Sequence, residues 1–214
     1  MIRSSVGPTI IVATRSAGKL RELLPMLAPL GSRILTLDEA GIAADPAEES
    51  IECYETFEEN ALAKARWFHA RLALPCIADD SGLAVDALGG RPGVHSKRWS
   101  GRDDLQGAAL DAANNALLLA SLTEAGAERS RERGARYVCV GAYVDGTRER
   151  TRRGETIGFI TDEPCGTRGF GYDPYFWSPE LGVTFGEATT EAKAIVSHRG
   201  RAMHALVEAL LSGQ

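Results

Sequence analysis

Thr9-Ile10-Ile11-Val12-Ala13 is a short β-branched and apolar run that stops at the polar Thr14-Arg15-Ser16-Ala17-Gly18-Lys19, after which Leu20, Leu23, Leu24 and Leu27 recur at helical spacing. The run reads as a buried strand, and the change of period marks strand, polar loop, helix. A second helix follows, where Thr56 and Glu59 make a capping box. Phe57, Ala61, Ala65, Phe68 and Leu72 share one face of it, with Asn60, Lys64 and Trp67 on another side. Pro75-Cys76-Ile77-Ala78 then reads as another buried strand, running into Asp79-Asp80-Ser81-Gly82. Strands interleaved with helices restrict the chain to the α/β class.

The same reading extends along the chain. Pro25 lies too deep for a first-turn proline, so the first helix is expected to kink or to start late. Asp38 to Cys53 is acidic and irregular. Asp103 to Leu122 reads as a helix with Leu110, Ala113, Leu117 and Ala120 on its inward face, and Glu128 to Arg136 as a charged, solvated connector. Tyr137 to Val144 is a strand, Asp145-Gly146 a hairpin turn, and the return strand falls within Thr147 to Ile160. A single final helix is expected from about Glu191 to Leu211. Without a repeat or a low-complexity linker, residues 1–214 are expected to form one domain with no independent second one.

Composition removes several classes of function. The formal net charge is −5, a poor match to a nucleic-acid polymer, which is held by clustered cations. No apolar stretch approaches a membrane span and the opening residues lack the core of a signal peptide, so a cytoplasmic address with no membrane partner is expected. Cys53, Cys76, Cys139 and Cys165 contain no Cys-x-x-Cys pair and read as structural or incidental thiols.

Four groups of residues carry possible chemistry. The loop Thr14 to Lys19 opens a helix, so its backbone N–H groups, the positive helix end and Lys19 suit a phosphate; equally it reads as an ordinary loop. It has neither the spacing of a Walker A loop nor that of a dinucleotide fingerprint. Asp79 and Asp80 at a strand end repel one another unless a divalent cation intervenes, and Mg²⁺ suits carboxylate and phosphate oxygens together. The plain alternative has Asp79 capping a turn and Asp80 in solvent. Phe170 between Gly169 and Gly171 can present a ring to a flat base, or simply pack in a turn. His198 and Arg199 donate to keto oxygens and anions, although read alone they are surface helix residues. Ser197 and His198, as helix neighbours, point in different directions, which disfavours a hydrolytic Ser/His/Asp triad built from them.

Gly18-Lys19-x-Arg21-Glu22-Leu23, Thr56 to Ala65, Ala78 to Leu83, Gly169 to Pro174, and Lys193 with Ser197-His198-Arg199-Gly200 together resemble the inosine triphosphate pyrophosphatase family, also called dITP/XTP pyrophosphatases. The resemblance runs from Ile10 to Leu210. It implies a two-lobed α/β fold with a long mixed central sheet flanked by helices, a nucleotide cleft between the lobes, and a homodimer. It also implies Mg²⁺-dependent hydrolysis of ITP, dITP, XTP or dXTP at the α–β phosphoanhydride to the monophosphate and pyrophosphate, clearing non-standard purines from the nucleotide pool.

By the same resemblance Thr14, Arg15, Ser16, Ala17, Gly18 and Lys19 form the triphosphate loop, with Ser16 standing where members commonly carry Asn. Asp80 is the catalytic acid and a metal ligand, Ser81 touches substrate, and Asn60 and Lys64 face the phosphates. Phe170, Gly171, Tyr172 and Asp173 line the base and sugar pocket, and Lys193, His198 and Arg199 complete the contacts. The upstream metal ligand falls on Glu48, Glu49 or Glu52, with Glu48 favoured by the Ala47-Glu48-Glu49-Ser50 match. The alternatives are a Maf-like pyrophosphatase of pyrimidine or modified nucleotides, and a nucleotide sensor without catalysis.

Overall fold

A computed structural model describes residues 7–127 and 132–213; part of the expected connector at 128–136 lies outside them. The elements are β1 (Gly7–Val12), α1 (Ala17–Leu27), β2 (Ser32–Thr36), α2 (Phe57–Leu72), β3 (Cys76–Val85), α3 (Gly107–Glu124), β4 (Gly134–Val144), β5 (Glu149–Ile160), β6 (Phe176–Ser178), β7 (Val183–Thr184), α4 (Thr190–Val196) and α5 (His198–Leu211). Among the described residues the strands follow the order β2-β1-β3-β4-β5-β6-β7 in one sheet. β1 pairs in parallel with β2 and β3, and β6 pairs antiparallel with β5 and β7, so the sheet is mixed.

The chain divides into two compact units. The first holds residues 1–80, 139–154 and 199–214, and the second 81–138 and 155–198. In the first unit, α1 begins at once behind Ser16, whose side chain accepts the Lys19 N–H. Pro25 lies inside the helix, which continues to Leu27 and buries Leu23, Met26 and Leu27. Thr56 is the N-cap as expected, its Oγ1 accepting the Glu59 N–H, but the box is not closed: the Glu59 carboxylate accepts from the Thr56 hydroxyl and not from its backbone N–H. Behind it α2 buries Phe57, Ala61, Ala65 and Phe68 as the period predicts. α5 approaches β4 so closely that a side chain at Gly141 would collide with Met203.

The second unit is built on Leu83, Val85, Leu118, Leu122, Tyr137, Ile160, Tyr172, Phe176 and Phe185. Here the structure corrects the sequence reading of α3. The buried face carries Asn114, Asn115, Leu118 and Leu122, while Leu117 is 38% exposed. The helix is apolar nearly all round, so periodicity selects no face. Backbone groups needing partners decide instead: Asn114 accepts from the Ser100 N–H and donates to the Lys97 carbonyl, and Asn115 donates to the Gly171 carbonyl.

Two further differences bear on the site. β3 runs unbroken for ten residues, so Asp79-Asp80-Ser81-Gly82 is strand interior and not a loop beyond the strand end. The final helix is broken at Ser197, whose extended backbone (φ −71, ψ 153) ends α4 before α5 begins. The extended residue lets Lys193 and Arg199 be aimed independently, which one continuous helix would not allow. β2 was not anticipated, because Ser32 to Thr36 has no clean alternation and is only partly buried.

The corrected face of α3 gives a direct test. Leu118→Ala should cost about 2–5 kcal/mol and Leu117→Ala less than about 0.5 kcal/mol, read from urea midpoints. Equal losses would restore the face expected from sequence.

Candidate active site

Successive side chains of a strand point to opposite faces, so β3 sends Asp79 and Asp80 apart. Asp79 has no exposed surface. Its Oδ2 meets Lys19 Nζ at 3.1 Å and Arg199 Nε at 3.2 Å, with Cys139 Sγ at 3.8 Å. Arg199 also pairs with Glu22. Burial pushes the Asp79 carboxyl up, but the Lys19 and Arg199 charges outweigh it and hold the group well below the ordinary carboxylate range.

Asp80 shares the charges of Lys19 and Lys64 with Asp79 but has Glu52 in place of Arg199. Burial pushes its pKa up, and the Glu52 charge adds to this against the opposing pull of Lys19, Lys64 and the Asn60 amide, so the net shift is upward. Glu52 forms an ion pair with Lys64. Burial raises Glu52, but Lys64 and then Lys19 bring it below its usual value. Asn60 is fixed by accepting from the Tyr54 N–H and donating to the Tyr54 carbonyl. The first unit therefore gathers Lys19, Asn60, Lys64 and Asp80 as expected, together with Glu52.

The Thr14–Lys19 loop is shaped by its own side chains. Thr14 Oγ1 accepts the Ser16 N–H, and Ser16 caps α1, so the Ser16 hydroxyl already has a structural task. Ala17 and Gly18 open the helix, where N–H groups have no intrahelical acceptor. Arg15 is differently engaged. It binds Glu48 through two bonds of 2.8 and 3.1 Å, reaches Asp38, and donates to the carbonyls of Ile42 and Ala43. Arg15 and Glu48 thus fasten residues 38–48 to the loop, and Arg15 holds the Glu48 carboxyl below its usual range.

In the second unit Asp173 organises the glycine loop. Its Oδ2 accepts from the Phe170 N–H at 2.8 Å and pairs with Lys193 Nζ at 2.6 Å, both partners of that ion pair being buried. Lys193 Nζ lies 5.4 Å from the Phe170 ring centre and 5.3 Å from that of Phe185. Gly169 is required: its φ is +75, and a side chain there would strike Asp173. Gly171 has φ +65 and directs Tyr172 inward, where its hydroxyl donates to the Ser96 carbonyl. Tyr172 is therefore packed in the core of the second unit. Ser81 is half-buried on β3.

His198 and Arg199 are both buried, which overturns their reading as surface helix residues. The His198 ring stacks on Tyr137 at 4.5 Å in the second unit, whereas Arg199 joins Asp79 in the first. The sequence reading missed Glu22, Asp111 and Asn115. Asp111 and Asn115 stand at i, i+4 spacing, the one signal available; Glu22 is identified only by its partner.

Metal fit follows from the donors. Among the described residues no three His, Cys, Asp or Glu side chains converge on a common metal position. Asp80 and Glu52 are an oxygen-only pair close enough to raise the Asp80 pKa, which suits a hard divalent cation that keeps waters and takes phosphate oxygens. No helix among the described residues is long and apolar enough to cross a membrane.

The fold is thus a mixed α/β sheet whose first unit gathers Lys19, Lys64, Glu52 and a raised Asp80 carboxyl. The Ham1 family model matches residues 10–209, and the chain belongs to that family. It is similar to the dITP/XTP pyrophosphatases of Nocardia farcinica (49% identity over 205 residues, 94% of each chain) and Escherichia coli K12 (43% over 207 residues, 95% of this chain and 98% of the relative). Among solved structures, a HAM1 protein of Coxiella burnetii matches with TM-score 0.81 and 32% identity, covering 96% of this chain and 100% of that one. The nucleoside-triphosphatase / dITP/XTP pyrophosphatase of Mycobacterium abscessus matches with TM-score 0.67 and 41% identity, covering 92% and 98%.

Two stability predictions follow from the acids. Arg199→Met leaves Asp79 and Glu22 without a shared buried cation and should cost about 3–5 kcal/mol in urea unfolding. Asp80 has a raised folded pKa, so its contribution is fully present below the ordinary carboxylate value and is lost as pH rises through the folded value. Asp80→Asn should therefore raise the melting temperature at pH 7, with the gain vanishing below about pH 3.9. A variant no more stable at pH 7 would contradict the assignment.

Proposed function

We propose that the chain is a nucleoside triphosphate pyrophosphohydrolase that converts ITP, dITP, XTP and dXTP to the monophosphate and pyrophosphate. The observation that carries this is the separation of Asp79 from Asp80: one acid is committed to holding Lys19 and Arg199, and the other keeps a raised pKa beside Glu52, Lys64 and Asn60. Membership of the Ham1 family and relatives named dITP/XTP pyrophosphatase favour this reading over a Maf-like enzyme. A sensor without catalysis would have no use for a raised acid beside a cation pair.

In this reading Lys19, Lys64 and the N–H groups opening α1 receive the triphosphate. Asp80 and Glu52 would hold Mg²⁺, with Glu52 preferred to Glu48 because Glu52 lies close enough to Asp80 to oppose its ionisation, whereas Glu48 acts on Arg15. The metal, when bound, supplies charge neutralisation on the phosphate oxygens. Asp80 orients the attacking water and accepts its proton as the new P–O bond forms and the bond to pyrophosphate breaks. Arg199 acts through Asp79, its guanidinium being buried against that carboxylate.

Base selectivity in this reading rests on Phe170 lying against the base and on hydrogen-bond donors to the 6-keto oxygen. Adenine offers an amino group there and leaves a donor unpaired, which rejects ATP. GTP shares the keto group, so its exclusion rests on the 2-amino group. We place the enzyme in the cytoplasm, as a single-domain chain assembling as a homodimer.

Pyrophosphate release from ITP, XTP, GTP, ATP and dUTP, with Mg²⁺ and with EDTA, tests the assignment. Activity should require the metal, and kcat/KM for ITP should exceed that for ATP by about 100-fold or more. Asp80→Asn should lower kcat by at least about 100-fold. Near-normal turnover by that variant at saturating Mg²⁺ would falsify the role given to Asp80, and equal kcat/KM for ITP and GTP would refute the selectivity.

A further inference from the structure

We propose that Asp111 and Asn115, one turn apart on α3, are positioning residues that set base selectivity by clamping the Gly169-Phe170-Gly171 loop. The proposal rests on the base-recognition reading of that loop. Asp111 Oδ2 accepts the Gly171 N–H at 2.8 Å, and Asn115 Nδ2 donates to the Gly171 carbonyl at 3.0 Å. Both polar groups of one glycine are thus held by one helix face. On the other side of the ring, the Phe170 N–H is held by Asp173, and the Phe170 carbonyl accepts the Asp173 N–H at 3.3 Å. The peptides flanking Phe170 are anchored from two directions.

The clamp answers a physical problem. Gly169 and Gly171 both adopt positive φ, and a loop with two glycines has the largest backbone freedom to lose when it orders. An aromatic ring selects a base only if it is held flat before the ligand arrives, since ordering it on binding would subtract from affinity. Hydrogen bonds from a regular helix supply that order in advance. Asp111 adds the strength of a charged acceptor.

Asn115 gives an independent indication. Its Oδ1 is buried and has no hydrogen-bond partner among the described residues. A buried amide with one unsatisfied oxygen is a net cost that a leucine of similar volume would avoid. The Gly171 carbonyl requires the donor, and turning the amide over would set oxygen against oxygen. The pair therefore serves the loop at the expense of the core around it.

The test uses the full chain with Asn115→Leu, which conserves volume, and Asp111→Ala, followed by steady-state kinetics for ITP and ATP and inhibition by inorganic tripolyphosphate. KM for ITP should rise about 5- to 20-fold with kcat within about 3-fold, and the preference for ITP over ATP should fall by at least about 5-fold. The tripolyphosphate inhibition constant should not move, because the phosphate-handling residues lie in the first unit. Asp111→Asn, which keeps an acceptor oxygen, should restore the wild-type preference. Amide hydrogen exchange of residues 168–173 reads the loop directly and should quicken at least about 10-fold in both variants.

Variants with an unchanged ITP-to-ATP preference, or with ITP and tripolyphosphate weakened equally, overturn the proposal. Unaltered exchange at Gly171 also overturns it, whatever the substrate. Failure of the wild-type chain to release pyrophosphate from ITP, with faster exchange in the variants, would instead count against the functional reading.

Discussion

The carboxylate of Asp79 has no exposed surface, and burying such a charge alone would cost several kcal/mol. The first unit is arranged around avoiding that cost. Lys19 from α1 and Arg199 from α5 converge on Asp79 in β3, and Glu22 from α1 takes the remaining charge of the arginine. Two cations and two anions make a neutral cluster that joins two helices to the strand. Such a cluster adds little net stability over an apolar replacement, but it dictates where each charged group lies.

Its consequence falls on the next residue. Because the strand alternates, fixing Asp79 on one face commits Asp80 to the other, where burial and Glu52 oppose ionisation. A carboxyl held above its ordinary pKa is a better acceptor for the proton of water than an unperturbed one. Adjacent residues of the same type are thus shifted in opposite directions. The second unit repeats the scheme around Asp173, which joins Lys193 of α4 to the backbone of the glycine loop. There the buried acid shapes a loop and does not perturb a second acid.

Much of this was legible as pattern. The strand-loop-helix unit at Thr9 to Leu27, the Thr56 cap and the Asp145-Gly146 hairpin rest on local rules that hold wherever those residues occur. Local rules failed where the choice depended on distant backbone. Leu117 and Leu118 are alike as residues, and only the unpaired groups of Ser100, Lys97 and Gly171 decide that α3 turns its asparagines inward. The partners of Arg15 were likewise out of reach of local rules, since the loop from 38 to 48 surrounds its guanidinium with acceptors. Glu48 and Glu52 could not be ranked by spacing, since the difference between them is which cation each meets.

By itself the sequence determined the α/β class, the Thr56 cap, and the inventory of acids, cations and a glycine-flanked aromatic, because these follow from period, side-chain reach and backbone freedom within a few residues. The tertiary structure alone decided which acid is paired with Lys19 and Arg199 and which has its pKa raised, that Tyr172 and Arg199 turn inward, and that Ser197 divides the last helix. The reason is physical. The ionisation and orientation of a buried polar group are set by the charges and backbone groups packed within a few ångströms of it, and for Asp79 these include Arg199, 120 residues away in the chain.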